Sequence, residues 1–311
     1  MTMQERFRGA LLGLAVGDAL GATNEAQPPS SCQPLTEIVG GGPFHLQPGQ
    51  WTDDTSMALC LAESLIETKG FDPVDQLERY CLWYREGHFS VTGTCFAIGG
   101  NTTQALQSFE RTHKPYCGPT DPRAAGNGSL MRLVPVPLFF ANQPAEGIER
   151  AGESSRTTHG ARNCVDACRY LAALILGALQ GVDKEFLLGD SYTPVEGLWQ
   201  QHPLAVDIQN LARGAYCRKS PPLIRGGGYV VESLEAALWA FSKGKNFAEC
   251  LQHAVALGED ADTTGAICGQ LAGAYYGYEG IPARWREIVA ERELLLKMAD
   301  QLYKLSKTKA A

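Results

Sequence analysis

Glycine recurs at every fourth residue in two apolar stretches far apart in the chain: Gly9, Gly13, Gly17 and Gly269, Gly273, Gly277. Around the first set, Phe7, Leu11, Leu14, Ala15 and Ala19 keep a helical period. Four-residue spacing places the small residues on one helix face, where a second backbone can come close. Two buried helices crossing at these faces are therefore expected.

Much of the remaining sequence is helical as well. Pro73 opens an amphipathic helix carrying Leu77, Tyr80, Cys81 and Tyr84 that ends near Gly87. Further helices are expected over 55–68, 102–109, 165–179, 230–241, 247–257, 264–278 and 283–305, with a short one opening at Leu130 and broken by Pro135 and Pro137. Residues 26–50 are rich in Pro and Gly and form a long loop. No alternating strand series, strand–helix alternation, linker or repeat interrupts the pattern. The expected fold class is all-α, one domain over 1–311 built from ten or more helices.

Composition narrows the partners. The net charge is −7 and the pI near 5.5, with no basic stripe along any expected helix, which makes nucleic acid a poor partner. The longest apolar candidate, 266–278, is short and carries Gln270, so no membrane span is expected. Met1 to Arg8 enters an amphipathic segment with no long apolar run before a cleavage site, so no secretory leader is expected, and most of the ten cysteines sit in apolar helical patterns and read as core thiols. Cys164 and Cys168 lie one helical turn apart without a second Cys/His pair, which argues against zinc. A cytoplasmic protein, monomeric by default, is the expectation.

Two polar clusters carry the chemistry. Trp51, Thr52, Asp53, Asp54 and Thr55 run directly into an apolar-periodic helix, and Gly258, Glu259, Asp260, Ala261, Asp262 and Thr263 do the same. Each could be an independent N-cap, since acids suit the positive end of a helix dipole. If the two starts meet, Thr52, Asp53, Asp54, Asp260, Asp262 and Thr263 converge as hard oxygen donors. That many carboxylates need cations, and magnesium or manganese suits the donor set.

Other candidates stand beside these. Asp18 and Glu25 follow the first helix near its unfavourable negative end, so either solvent screens them or a cation or hydroxyl holds them. Gly126, Asn127, Gly128 and Ser129 form either a plain turn or an anion-binding opening of exposed amides that Arg132 could assist. His159 is either a first-turn cap of the following helix or a ligand-facing residue.

Gly17-Asp18-Ala19-Leu20-Gly21 with Glu25, Trp51-Thr52-Asp53-Asp54-Thr55, Gly126-Asn127-Gly128 with Met131-Arg132, and Gly258-Glu259-Asp260-Ala261-Asp262-Thr263 together resemble the ADP-ribosylglycohydrolase family. The resemblance runs from about Arg6 to Leu305 with the motifs in family order. It implies two magnesium or manganese ions on Thr52, Asp53, Asp54, Asp260, Asp262 and Thr263. It implies hydrolysis of the bond between ADP-ribose and a protein side chain, most often arginine, with free ADP-ribose as product. Catalytic roles would fall to Glu25, Asp54 and Asp260. Gly126, Asn127, Gly128 and Ser129 would cradle the diphosphate, with Tyr229 on the adenosine side, His159 near the same pocket and Asp18 supporting from behind. The chain departs at Ala97, where relatives commonly carry Asp. That leaves open a serine-linked or small-molecule substrate, or a non-catalytic ADP-ribose-binding or structural role.

Overall fold

The computed structural model describes residues 1–32 and 35–308. Helices follow one another as α1 (Met3–Gly21), α2 (Asp53–Thr68), α3 (Pro73–Glu86), α4 (Gly100–Thr112), α5 (Pro135–Phe139), α6 (Pro144–Thr158), α7 (Arg162–Leu179) and α8 (Lys184–Leu187). Then come α9 (Leu198–Gln201), α10 (Val206–Ala212), α11 (Val230–Lys243), α12 (Phe247–Val255), α13 (Ala261–Gly280), α14 (Ala283–Ile288) and α15 (Arg292–Thr308). Among the described residues only two isolated bridges, Gly41 with Leu46 and Gly126 with Tyr229, have strand pairing. The all-α expectation holds. No helix is long and apolar enough to cross a membrane.

α1 and α13 form the axis of the molecule. A Cβ built on Gly9 would collide with the carbonyl oxygen of Gly273, one on Gly13 with that of Gly269, and one on Gly17 with that of Gly265. Partner numbers fall as α1 numbers rise, so the two helices are antiparallel. The end of α1 thus lies beside the start of α13, with Gly21 packed on Ala261. Gly265 belongs to the contact although the repeat had been expected to start at Gly269. Gly277 departs from helical geometry, with φ 72° and ψ 179°, and kinks the end of α13.

One continuous core surrounds this pair, with α15 on α1 and α2, α12 on α13, and α6 on α7. Local sequence accounts for several boundaries. Asp72 caps α3 by accepting from the amides of Val74 and Asp75, Pro73 occupies the first turn, and Gly87 ends it at φ 73°. Five of the ten cysteines, Cys60, Cys164, Cys168, Cys250 and Cys268, are buried, fewer than the expected majority; Cys32, Cys81, Cys95 and Cys117 are partly exposed and Cys217 is exposed.

Two expected boundaries are wrong. Residues 283–305 are not one helix, because Ala290 pairs with a distant loop. The amide of Ala290 donates to Gly49 at 2.9 Å and its carbonyl accepts from Trp51 Nε1 at 3.2 Å. Nor does a helix open at Leu130. Residues 128–132 form turns, and α5 starts at Pro135, whose missing N–H costs nothing in a first turn.

Candidate active site

Antiparallel packing of α1 on α13 carries the acids of both into one place, and the start of α2 joins them. Neither acidic start caps itself. Thr52 and Asp260 occupy the N-cap positions of α2 and α13, yet neither side chain makes a capping bond. The cap of α2 comes from α1 instead. Asp18 accepts from the Thr52 amide (2.8 Å) and hydroxyl (2.9 Å) and from the Thr55 amide (3.1 Å) and hydroxyl (2.6 Å). The carboxylate that seemed badly placed at the end of α1 is thus held at the positive end of α2.

The Thr52 hydroxyl also lies 3.0 Å from Asp54 Oδ2 and 3.3 Å from Asp262 Oδ2. A hydroxyl has one proton, so it satisfies only one of the three acids around it. Asp54 Oδ1 is buried with no hydrogen-bond partner among the described residues. Carboxylate oxygens of Asp18, Asp54 and Asp262 lie within 4.8 Å of one another, as do those of Glu25, Asp260 and Asp262. Asp262 is common to both groups.

Electrostatics shows the strain. Burial, and then the charges of neighbouring acids, push Asp53, Asp54 and Asp262 well above the ordinary carboxylate range. Burial pushes Asp18 up to about 6 against the pull of its four donors. Burial raises Glu25 too, with the Asp260 charge adding to it. Taking each carboxylate out of water costs several kcal/mol, roughly, without a counter-charge. Oxygen-only donors, an orphaned buried oxygen and two overlapping groups of acids fit a bound divalent cation.

A cavity of about 250 Å³ opens onto these groups. Glu25, Asp53, Asp260, Asp262 and Thr263 line one part of it, and Gly126, Asn127, Gly128 and His159 another. A larger groove of about 880 Å³ between α6, α7 and α9 holds paired Arg and acidic side chains and none of the candidate residues. Glu25 is fixed through Oε2 by the Ala261 amide at 3.0 Å.

The glycine turn is tied to the acids directly. Asn127 Nδ2 donates to Asp260 Oδ2 at 2.7 Å and to Ser233 Oγ at 2.9 Å, and the Asn127 amide donates to Gly228 O at 3.2 Å. Among the described residues the amides of Gly128 and Ser129 have no protein acceptor. The Ser129 hydroxyl lies 2.8 Å from that of Ser155, and Ser129 is not among the residues lining the cavity. His159 packs its Cε1–Nε2 edge onto Gly128, where a Cβ would come within 2.8 Å of the ring.

Several assignments change place. His159 does not cap the helix that follows; it is the C-cap of α6, its amide donating to Ser155 O at 2.7 Å. Arg132 is fully buried behind the turn and bonds to Thr158, so it does not reach an anion in the cavity. Asp18, expected to support the site from behind, lies buried and outside the cavity lining. Tyr229 is not in the wall: it sits at the N-cap position of α11 without a side-chain capping bond, is 40% exposed, and its hydroxyl accepts from Asn163 Nδ2 at 2.9 Å.

Phe44, Asn101, Thr102, Met131 and Gly228 line the cavity without having been singled out for it, and Ala97 is in the wall at φ 61°. Asn101 had a signal, a polar residue at a helix start after Gly99 and Gly100.

The ADP-ribosylglycohydrolase family profile matches residues 1–311. A protein of Pseudomonas putida (strain GB-1) named ADP-ribosylarginine hydrolase Tri1 is 41% identical over 299 residues, 96% of this chain and 78% of that one. The ADP-ribosyl-[dinitrogen reductase] glycohydrolase of Rhodospirillum rubrum is 31% identical over 317 residues, 96% and 98% of the two chains. A solved structure described as an ADP-ribosylglycohydrolase-related protein complex superposes with a TM-score of 0.86 at 44% identity, over 98% of this chain and 99% of that one. Matched along its whole length, the chain belongs to the ADP-ribosylglycohydrolase family.

Proposed function

We propose that the protein is a metal-dependent hydrolase that releases ADP-ribose from a modified arginine side chain of a protein. The observation that carries this is the pair of acid groups sharing Asp262 at one part of a cavity that also exposes a glycine turn with two unpaired amides. Relatives named as ADP-ribosylarginine hydrolases at 41% and 38% identity support the arginine linkage.

Asp54, Asp260 and Asp262, with Thr52, Asp53 and Thr263, would hold two magnesium or manganese ions. When bound, such cations orient sugar hydroxyls and lower the pKa of water so that hydroxide is available near neutral pH. Hydrolysis adds the water oxygen to the anomeric carbon, breaks the carbon–nitrogen bond and returns a proton to the departing guanidine. Glu25 carries that proton. Its carboxyl faces the cavity, is anchored by the Ala261 amide, and is raised by burial above the ordinary carboxylate range. Asn127 orients Asp260, and the amides of Gly128 and Ser129 receive diphosphate oxygens.

The test is release of free ADP-ribose from arginine-modified and serine-modified protein, with manganese, with magnesium and with chelator. Chelator-sensitive release from arginine is the expected result. Release from serine alone would overturn the arginine assignment.

A further inference from the structure

Arg132 is a fully buried cation with no carboxylate among its bonded partners in the described residues. It lies 4.7 Å from the ring centre of Tyr80, and its Nε has no partner. Its shortest bond is from Nη2 to Thr158 Oγ1, at 2.7 Å. Thr158 Oγ1 in turn stands 2.9 Å from Nδ1 of His159. No other partner of that hydroxyl is found among the described residues. His159 Nε2, on the ring edge turned to Gly126 and Gly128, has no protein partner among the described residues.

We propose that Arg132 is a positioning residue that, through Thr158, holds His159 as a neutral imidazole with its proton on Nε2, a fixed donor for an anionic oxygen at the glycine turn.

The chain of donors permits one assignment. A guanidinium only donates, so Thr158 Oγ1 accepts from Arg132. The Thr158 proton then has His159 Nδ1 as its one acceptor, and a ring nitrogen that accepts carries no proton. In the neutral ring the proton is therefore on Nε2. A charged imidazole would have to donate from Nδ1 as well, leaving the Thr158 proton stranded in a buried place. Burial and then the Arg132 charge also hold the imidazole down, to about 3. His159 thus neither gives nor takes a proton in turnover. It supplies a hydrogen bond whose direction is set from behind the cavity wall.

That the acceptor is a diphosphate oxygen rests on the hydrolase assignment above; the tautomer does not. Two-bond proton–nitrogen correlation spectra of labelled protein with magnesium present read the tautomer without substrate, and His159→Gln identifies the signal. The expected result is a protonated Nε2 and an unprotonated Nδ1, unchanged from pH about 5.5 to about 8.5. Thr158→Val should put proton density on Nδ1 and raise KM for an ADP-ribosylated substrate about tenfold with kcat little altered, and Thr158→Ser should restore both. An Nδ1-protonated ring in the unaltered protein, a ring that titrates near neutrality, or a Thr158→Val protein with unchanged tautomer would overturn the proposal. Because the spectra need no turnover, failure to release ADP-ribose would count against the hydrolase assignment alone.

Discussion

Asp18, near the end of α1, accepts both the amide and the hydroxyl of Thr52, at 2.8 and 2.9 Å, and so caps a helix that begins thirty-odd residues later (roughly one loop away). The same carboxylate is within reach of Asp54 and Asp262. One side chain therefore sets both the start of α2 and the orientation of the acids that α2 carries.

Thr55→Val tests that double role. It deletes the 2.6 Å hydroxyl bond to Asp18 Oδ2 and leaves a buried carboxylate short of a donor. Stability should fall by about 1–3 kcal/mol. Divalent-metal affinity should weaken by about 10- to 100-fold, as when a partner of a metal ligand is lost. Thermal unfolding and calorimetric manganese titration measure the two effects. Unchanged metal affinity would show that Asp18 caps α2 and does nothing for the site.

The metal-free protein should lose stability as pH rises. Asp18, at about 6 when folded, ionises near 3.8 when unfolded, so between those values the folded chain binds more protons. The contribution is fully present below the unfolded pKa and is lost as pH passes through about 6, a change of about 3 kcal/mol for this group. Asp53, Asp54 and Asp262 are also held well above the ordinary carboxylate range by burial and by their neighbours, and add to the loss in the same direction. Metal supplies the missing positive charge, so the gap between melting temperatures with manganese and with chelator should widen as pH increases. A gap that stays constant with pH would contradict the arrangement of carboxylates described here.

Asp262 and Glu25 should separate binding from chemistry. Asp262→Asn removes the acid common to both groups, so metal affinity and turnover should each fall more than about 100-fold. In chelator the same variant should melt higher than the unaltered protein, because one of several mutually repelling buried carboxylates is gone. Glu25→Gln should retain metal and lose turnover by about 10²- to 10⁴-fold. Full turnover in either variant would remove that residue from the proposed mechanism.

What the sequence made legible were local patterns: the glycine period, the two acidic helix starts, the Pro73 opening and Gly87 stop of α3. Each depends on residues within a turn or two of one another. What it hid depends on pairing between distant segments. Nothing near Asp18 says that Thr52 and Thr55 will stand over it, because that follows from where the chain returns after residues 26–50. The break between α14 and α15 carries no Gly or Pro; its reason is the pairing of Ala290 with Gly49 and Trp51. Arg132 read as an anion binder because it follows a glycine turn, and only the packing of α6 behind that turn turns it inward toward Thr158.

The glycine contact between α1 and α13 should govern both stability and the site. Alanine is normally the better helix former by about 1 kcal/mol, so Gly13→Ala would stabilise a helix that stood alone. Here a Cβ on Gly13 runs into the carbonyl oxygen of Gly269, a backbone atom that cannot rotate away. The collision should dominate, at a net cost of about 3 kcal/mol. Gly17→Ala pushes against Gly265, next to the turn that carries Asp262, and should add a loss of metal affinity of about tenfold or more by shifting Asp18 relative to Asp262. Gly70→Ala, whose new methyl would come no closer than 3.9 Å to Thr68 O, serves as the control and should stay within about 0.5 kcal/mol. Thermal unfolding of the three variants with manganese and with chelator separates the packing cost from the metal effect. If Gly13→Ala melts with or above the unaltered protein, the two helices are not in backbone contact, and the geometry that brings Asp18 to Asp262 must have another cause.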